Sequence, residues 1–180
     1  MKFTKGYWMN LPGVTNTDAV QVREVKVEND RVYLYTVPYH ADIRAMGGPL
    51  LEMYISSPQP DIIRTEAYHF MGSNQKMPAF ELNDAHCALE VENTETTVTI
   101  KSGNTKLVIG KNPCSFDYYY KDKKLTSIGN RFGNAMISTI STPDGNYMRA
   151  QMNLDIGEKV YGLGERFTPY VKNGQTVETW

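Results

Sequence analysis

Apolar and polar residues alternate along most of the chain, and the register of two such runs predicts a hairpin. Val25 and Val27 precede Asn29-Asp30, and Val32 and Leu34 follow it. If Asn29-Asp30 is a two-residue turn, Val27 lies opposite Val32. Val25 then lies opposite Leu34, and the four apolar side chains share one face of the hairpin. Asn and Asp tolerate the positive φ angles that such turns require, so the pattern and the turn chemistry agree.

The same test predicts a second hairpin over Thr96–Ile109. With Gly103-Asn104 as a two-residue turn, Ile100 lies opposite Leu107, and apolar residues face each other along both strands. A three-residue turn would set Ile100 against Lys106 instead. The two-residue turn is therefore preferred.

Further short apolar runs bounded by glycine and proline complete the pattern. They predict a third hairpin over Ser115–Ile128 with its tip at Lys121-Asp122-Lys123, and strands over Leu50–Ile55, Ile62–Phe70, Cys87–Glu92, Ala135–Ile140 and Met148–Ile156. No long window carries a clean helical stripe, and the nearest one, Ala79–Leu89, is interpreted as a loop that runs into a strand. Many short strands separated by turn signals predict an all-β fold, an antiparallel β-sandwich or barrel, in one domain.

Composition narrows the function classes. The chain has 180 residues with 19 basic and 20 acidic side chains and a formal charge of −1, which argues against nucleic acid and anionic membranes as partners. Cys87 and Cys114 are too few for a disulfide framework and are interpreted as buried thiols. The stretch Met1–Leu11 lacks the apolar run of a signal peptide, so a cytoplasmic location is expected.

No local motif predicts a cofactor or a metal. His40, His69 and His86 are spaced 29 and 17 residues apart, which fits no zinc pattern. Gly162-Leu163-Gly164 is part of a dinucleotide fingerprint, but the third glycine is missing and no helix pattern follows. These glycines are interpreted as allowing a tight bend or a close approach to another strand.

Two sets of side chains remain candidates for sugar chemistry. Asp155, Glu158 and Glu165 lie near one another in sequence and are interpreted as surface charges rather than an acid–base pair. Tyr33 and Tyr35 occupy the face opposite the apolar residues of their strand. That face either packs against another part of the protein, which is the preferred interpretation, or stacks on a sugar.

The segments Asp155–Thr168 and Val171–Trp180 closely resemble the N-terminal domain of family-31 glycoside hydrolases, in the α-xylosidase branch. Weaker matches, at Gly6-Tyr7-Trp8, Lys101–Asn104 and Lys123–Thr126, distribute the likeness over nearly the whole chain.

The resemblance implies that residues 1–180 form a galactose-mutarotase-like β-sandwich at the front of a multidomain α-xylosidase or α-glucosidase. In that family a (β/α)₈ barrel of the same polypeptide carries two catalytic aspartates, which act on α-xyloside or α-glucoside oligosaccharides by a retaining mechanism. No position of this chain matches either aspartate motif. The chain alone is therefore expected to be inactive, with no catalytic residue, and the oligomeric state of the parent is left open.

In the family, a loop from this domain reaches over the barrel mouth, and it begins at about the point where this sequence stops. The resemblance thus nominates Trp180 as a substrate-binding residue, with Glu178 behind it, and implies that the loop and some strands of the sandwich lie beyond residue 180. The alternative hypothesis is a free-standing carbohydrate-binding β-sandwich that uses the tyrosine faces.

Overall fold

The computed structural model describes residues 3–5, 9–38, 48–69, 85–129 and 137–177. Within these ranges the chain forms strands and no helix, and none of it could cross a membrane as a helix. The strands are β1 (Thr4–Lys5), β2 (Met9–Asn10), β3 (Thr15–Asp18), β4 (Gln21–Val27), β5 (Arg31–Val37), β6 (Leu51–Ser56), β7 (Arg64–Tyr68), β8 (Glu90–Asn93), β9 (Thr97–Ser102), β10 (Thr105–Lys111), β11 (Cys114–Tyr120), β12 (Lys123–Ile128), β13 (Ile137–Thr142) and β14 (Gly145–Ala150).

Two antiparallel sheets enclose the core. One has the order β4-β5-β6-β7 and the other β12-β11-β10-β9-β8. Alternate residues of each strand point inward, because side chains of a strand alternate between its two faces. The buried apolar side chains form one cluster that includes Val32, Leu34, Leu51, Met53, Ile55, Val98, Ile100, Leu107, Ile109 and Phe116. The prediction of an all-β antiparallel sandwich is confirmed.

The registers predicted for the first two hairpins are confirmed. Val27 pairs with Val32 and Val25 with Leu34, and Ile100 pairs with Leu107. Val27, at the end of β4, is nevertheless 58% exposed, so it does not share in the core.

A bulge explains the irregular apolar spacing of β4. The pairing with β5 shifts between Val22 and Glu24, and this extra residue lets both Val22 and Val25 approach the core although they are three positions apart.

Most of the remaining strand predictions hold with corrected boundaries. The tip of the third hairpin is the two residues Lys121-Asp122, since Tyr120 pairs with Lys123, and Lys121 takes the positive φ of 53° that this turn needs. The strand predicted over Cys87–Glu92 begins only at Glu90 and ends at Asn93. Residues 85–89 have no regular structure. Phe70, residues 79–84 and Ala135-Met136 lie outside the described residues.

One strand prediction is wrong in its C-terminal half. The predicted strand Met148–Ile156 ends at Ala150. Beyond it, Met152 forms an isolated bridge to Ile128, and Ile156 is fully exposed. Apolar residues continue at alternate positions here, and no sheet in the described part of the chain covers them.

A smaller sheet, in the order β14-β13-β3, continues the core at one end. The chain passes from β3 into β4 by changing hydrogen-bond partner. The amide of Ala19 donates to the Ile137 carbonyl at 2.8 Å, and the amide of Val20 donates to the Val37 carbonyl at 2.8 Å. Ile137 belongs to the same buried cluster as the two main sheets. β1 and β2 form a separate two-stranded sheet.

Polar contacts fix the two main sheets to each other. The hydroxyls of Ser57 and Ser102 lie 2.6 Å apart in the interior. The carboxylate of Asp61, in the β6–β7 loop, accepts a hydrogen bond from the Asn104 amide in the β9–β10 turn, and Thr105 Oγ1 donates to the Asp61 carbonyl at 2.6 Å. Each bond crosses from one sheet to the other, so together they fix how the sheets pack.

Candidate functional site

The two residues nominated as substrate-binding, Glu178 and Trp180, lie outside the described residues. The described chain reaches residue 177 and therefore includes the segment that leads to them. That segment belongs to an irregular stretch, residues 155–175, which we call the C-terminal loop.

The C-terminal loop is closed by Asn173. Its side-chain oxygen accepts a hydrogen bond from the amide of Val160 at 2.8 Å, and its side-chain nitrogen donates to the Glu158 carbonyl at 3.0 Å. The amide of Lys172 donates to the Val160 carbonyl at 2.8 Å. These bonds tie residues 158–160 to residues 172–173, so the loop has a defined shape without regular secondary structure.

Lys172 fills the interior of this loop. Its side chain is buried, with 8% exposure, and the ammonium donates to Thr168 Oγ1 and to the Pro169 carbonyl, both at 2.8 Å. A lysine is almost never buried unless its charge is satisfied. Lys172 therefore serves as an internal brace for the turn at residues 168–169.

The motif Gly162-Leu163-Gly164 bends the loop. Its three residues have φ angles of 99°, 67° and 79°. Glycine adopts such angles freely, whereas a leucine is strained by them. A Cβ added to either glycine would meet no described atom within 4 Å. The sequence interpretation of a tight bend is thus supported, while a close approach to a described strand is not found.

The three acidic residues singled out in the sequence are all exposed. Glu158 Oε2 accepts a hydrogen bond from the Asp155 amide at 2.8 Å and so stabilises the turn that begins the loop. Glu165 follows the glycine bend. At these positions the carboxylates are surface groups.

Histidine and cysteine side chains form no metal-binding cluster among the described residues. His69 Nδ1 lies 3.3 Å from the Leu50 carbonyl, and His86 Nε2 lies 3.7 Å from a carboxylate oxygen of Asp30. His40 lies outside the described residues. Cys87 and Cys114 are free thiols.

Tyrosine rings cross the outer face of the four-stranded sheet. The rings of Tyr33 and Tyr54 lie 5.4 Å apart and are tilted, and those of Tyr54 and Tyr68 lie 6.1 Å apart in an edge-to-face arrangement. The Tyr33 hydroxyl donates to Glu52 at 3.0 Å. Desolvation and this hydrogen bond raise the pKa of Tyr33 well above its usual range.

Cations cover two of these rings. The Arg31 guanidinium lies 4.7 Å from the centre of the Tyr54 ring, and the Lys26 ammonium lies 5.3 Å from that of Tyr33. Sugars stack on open aromatic faces. The tilted and covered rings therefore favour packing within this sheet over sugar binding.

An apolar cavity of about 600 Å³ opens among three edge strands, β7, β12 and β14. Its lining includes Ala67, Leu125, Met148 and Met152, and the last three side chains are between 39% and 53% exposed. Sequence reasoning missed this cavity. The available signal was the apolar alternation through Met148 and Met152, which was interpreted only as one face of a strand.

Tyr118 lies in the lining of the cavity and bridges the two main sheets. Its hydroxyl is 2.9 Å from Thr65 Oγ1. Burial raises the pKa of Tyr118, and the hydrogen bond with Thr65 offsets part of that rise. The tyrosine thus stays neutral near physiological pH and acts as a structural link.

Two packed antiparallel sheets, with exposed carboxylates and an irregular braced loop, define the class of this protein as a β-sandwich domain. The profile of the glycosyl hydrolase 31 N-terminal galactose mutarotase-like domain matches residues 52–180. The chain belongs to that domain family.

Curated relatives and solved structures agree with this assignment. The chain is 31% identical over its full length to the alpha-xylosidase XylQ of Lactiplantibacillus pentosus and 31% identical to an alpha-xylosidase of Emericella nidulans. It spans 24% and 26% of their lengths.

Two structures from Listeria monocytogenes share the fold over 93% of this chain and 14% of their own. An uncharacterized protein matches with a TM-score of 0.71, and a cycloalternan-forming enzyme in complex with a pentasaccharide substrate matches with 0.69, both at 19% identity.

Proposed function

We propose that this chain is the non-catalytic N-terminal domain of a retaining α-glycosidase that acts on α-xylosides. The observation that carries the proposal is the identity of 31% over the whole chain to two alpha-xylosidases, of which it spans about a quarter. The exposed positions of Asp155, Glu158 and Glu165 support the view that catalysis belongs to another part of the polypeptide. The partner is then a catalytic barrel in the same polypeptide, and the substrate is an α-xyloside oligosaccharide.

Within this proposal, Trp180 and Glu178 lie at the mouth of the barrel and shape the leaving-group side of the pocket. The braced loop before them supports this role, because Lys172 and Asn173 fix the path of the chain only a few residues earlier. A cytoplasmic location is also part of the proposal, and the two free thiols support it.

The test is an assay of the full-length polypeptide on p-nitrophenyl α-xyloside and p-nitrophenyl α-glucoside, with residues 1–180 alone as control. We expect release from the xyloside by the full-length protein and none by the control. Release from the glucoside alone would refute the xyloside preference. Release from neither would refute the glycosidase. Turnover by residues 1–180 would refute the non-catalytic role.

The role of Trp180 is tested separately in the full-length protein. Trp180→Ala should raise KM for the xyloside by about fivefold, because an aromatic contact to a sugar is worth on the order of 1 kcal/mol. Val177→Ala, three positions earlier, is the control and should leave KM unchanged. Equal KM values for wild type and Trp180→Ala would remove Trp180 from the site.

The alternative of a free-standing carbohydrate-binding module is less well supported. Its binding surface would be the tyrosine face, where Arg31 and Lys26 lie over the rings. Calorimetry of residues 1–180 with xylose, isoprimeverose or maltose distinguishes the two. Tight binding would favour the module.

A further inference from the structure

Exposed apolar side chains are concentrated near the end of the described chain. Fourteen large apolar side chains are exposed among the described residues, and eight of these lie between Met148 and Tyr170. Ile156 and Phe167 are 104% and 110% exposed, and Tyr170 is 82% exposed. Monomeric soluble proteins rarely expose large contiguous apolar surfaces, and those that occur usually mark a binding site.

Five of these eight side chains, from Ile156 to Tyr170, sit on the C-terminal loop, whose backbone is already fixed. Asn173 and the buried Lys172 close the loop, and the rings of Tyr161 and Tyr170 lie 5.3 Å apart. The loop therefore presents its apolar residues in a set arrangement. A pre-shaped surface of this kind loses little conformational freedom when a partner covers it.

The bend at Gly162-Leu163-Gly164 also indicates that a partner covers this loop. Leu163 is held at a φ of 67° and is 46% exposed, although neither neighbouring glycine is constrained by a close contact in the described structure. The described residues cover only about half of this strained side chain. Further burial of Leu163 against a partner would account for a strained leucine at this position.

We propose that the C-terminal loop is a preformed docking element, and that Ile156, Leu163, Phe167 and Tyr170 are buried against a later part of the same polypeptide. This inference rests on the proposed function, which supplies the catalytic barrel as the partner. The length of the relatives argues for this occupant, since about three quarters of each lies beyond the matched region. A partner on the same chain is held at a high effective concentration.

The test is thiol labelling of the full-length protein carrying Phe167→Cys or Val27→Cys, with the labelled site read by mass spectrometry. Val27 is the matched control, because it is an exposed apolar residue, 58% exposed, on β4. We expect the thiol at position 167 to react about tenfold or more slowly than the thiol at position 27, as expected for a site that reacts only after local opening. Equal rates would overturn the proposal.

A second test needs no variant. It compares the rates at which hydroxyl radicals oxidise Tyr170 and Tyr120 in the unmodified full-length protein. By exposure in the described structure, Tyr170 should be oxidised faster than Tyr120, which is 40% exposed. Docking predicts the reverse order, with Tyr170 slower. The faster oxidation of Tyr170 would overturn the proposal.

A second copy of the chain is the competing occupant, and dilution distinguishes it. Protection by the same polypeptide is independent of protein concentration, so protection that disappears on dilution would also overturn the proposal. Failure of the proposed function has a separate signature. A full-length protein that protects position 167 but cleaves no glycoside would refute the α-glycosidase while leaving the docking element in place.

Discussion

The chain offers a direct comparison between a core isoleucine and an apparently similar one on the surface. Ile100 is 0% exposed and Ile156 is 104% exposed. Ile100 lies in β9 and pairs with Leu107 of β10 on one side and with Val91 of β8 on the other. Ile156 follows β14 and lies in the C-terminal loop. The same substitution, isoleucine to alanine, can be made at both positions.

The expected effects differ by several kcal/mol. Ile100→Ala removes three buried carbon groups, which at about 0.8 kcal/mol each is a transfer loss of roughly 2.4 kcal/mol. The cavity left between paired strands adds to it, so the free energy of unfolding should fall by about 3–4 kcal/mol. Ile156→Ala removes no surface that is buried among the described residues, and should change that free energy by less than about 0.5 kcal/mol.

The assay is urea unfolding of residues 1–180 followed by tryptophan and tyrosine fluorescence. With a slope of about 2 kcal/mol per molar urea, Ile100→Ala should lower the midpoint by about 1.5–2 M, whereas Ile156→Ala should leave it in place. A large loss at Ile156 would show that the loop is packed within this chain. A loss below about 1 kcal/mol at Ile100 would refute the assignment of β9 to the core.

Further predictions concern three single residues, Tyr118, Asp61 and Cys114. Tyr118→Phe removes the hydrogen bond to Thr65 across the sandwich and should cost about 0.5–1.5 kcal/mol in urea unfolding, with an unchanged slope. Asp61→Ala removes the carboxylate that accepts from the β9–β10 turn and places alanine at a φ of 67°. It should cost about 1–2 kcal/mol, while Asp61→Asn, which tolerates that φ, should cost less. Burial raises the pKa of the Cys114 thiol to about 12 from an ordinary 9.0, so a thiol reagent at pH 8 should modify the half-buried Cys87 and spare Cys114. Because folding raises the pKa of this thiol, its contribution to the free energy of unfolding is complete below pH 9.0. That contribution is lost as the pH rises towards about 12. Cys114→Ala should therefore flatten the decline of stability over that range.

The hairpins could be predicted because residues close together in the sequence determine their turns and registers. A two-residue turn at Asn29-Asp30 or Gly103-Asn104 fixes which residues face each other, and only one register places the apolar residues together. The bulge in β4 was not predicted. A bulge is defined by how two strands pair, here β4 with β5. The spacing of the valines in β4 alone therefore does not determine where the extra residue falls.

The C-terminal half of the predicted strand Met148–Ile156 failed for a different reason. Apolar residues recur there at every second position, as they do in β9 and β10, but no described strand covers Leu154 or Ile156. A residue that packs inside its own domain and one that packs against another domain carry the same apolar side chain. Periodicity identifies a buried face and does not identify what buries it.

The same limit applies to the candidate site. Trp180 and Glu178 were nominated through a family resemblance, because no local pattern of charge or spacing marks them. The loop that precedes them could be recognised by its glycines. The residues that hold it closed are Lys172 and Asn173, whose side chains fold back to bond groups 3 to 15 residues earlier in the chain. A lysine and an asparagine in a polar stretch are usually solvated. In the closed loop these two side chains instead form hydrogen bonds that hold the backbone in place. The exposed apolar side chains of the loop are therefore kept in a fixed arrangement in which a partner can bind them.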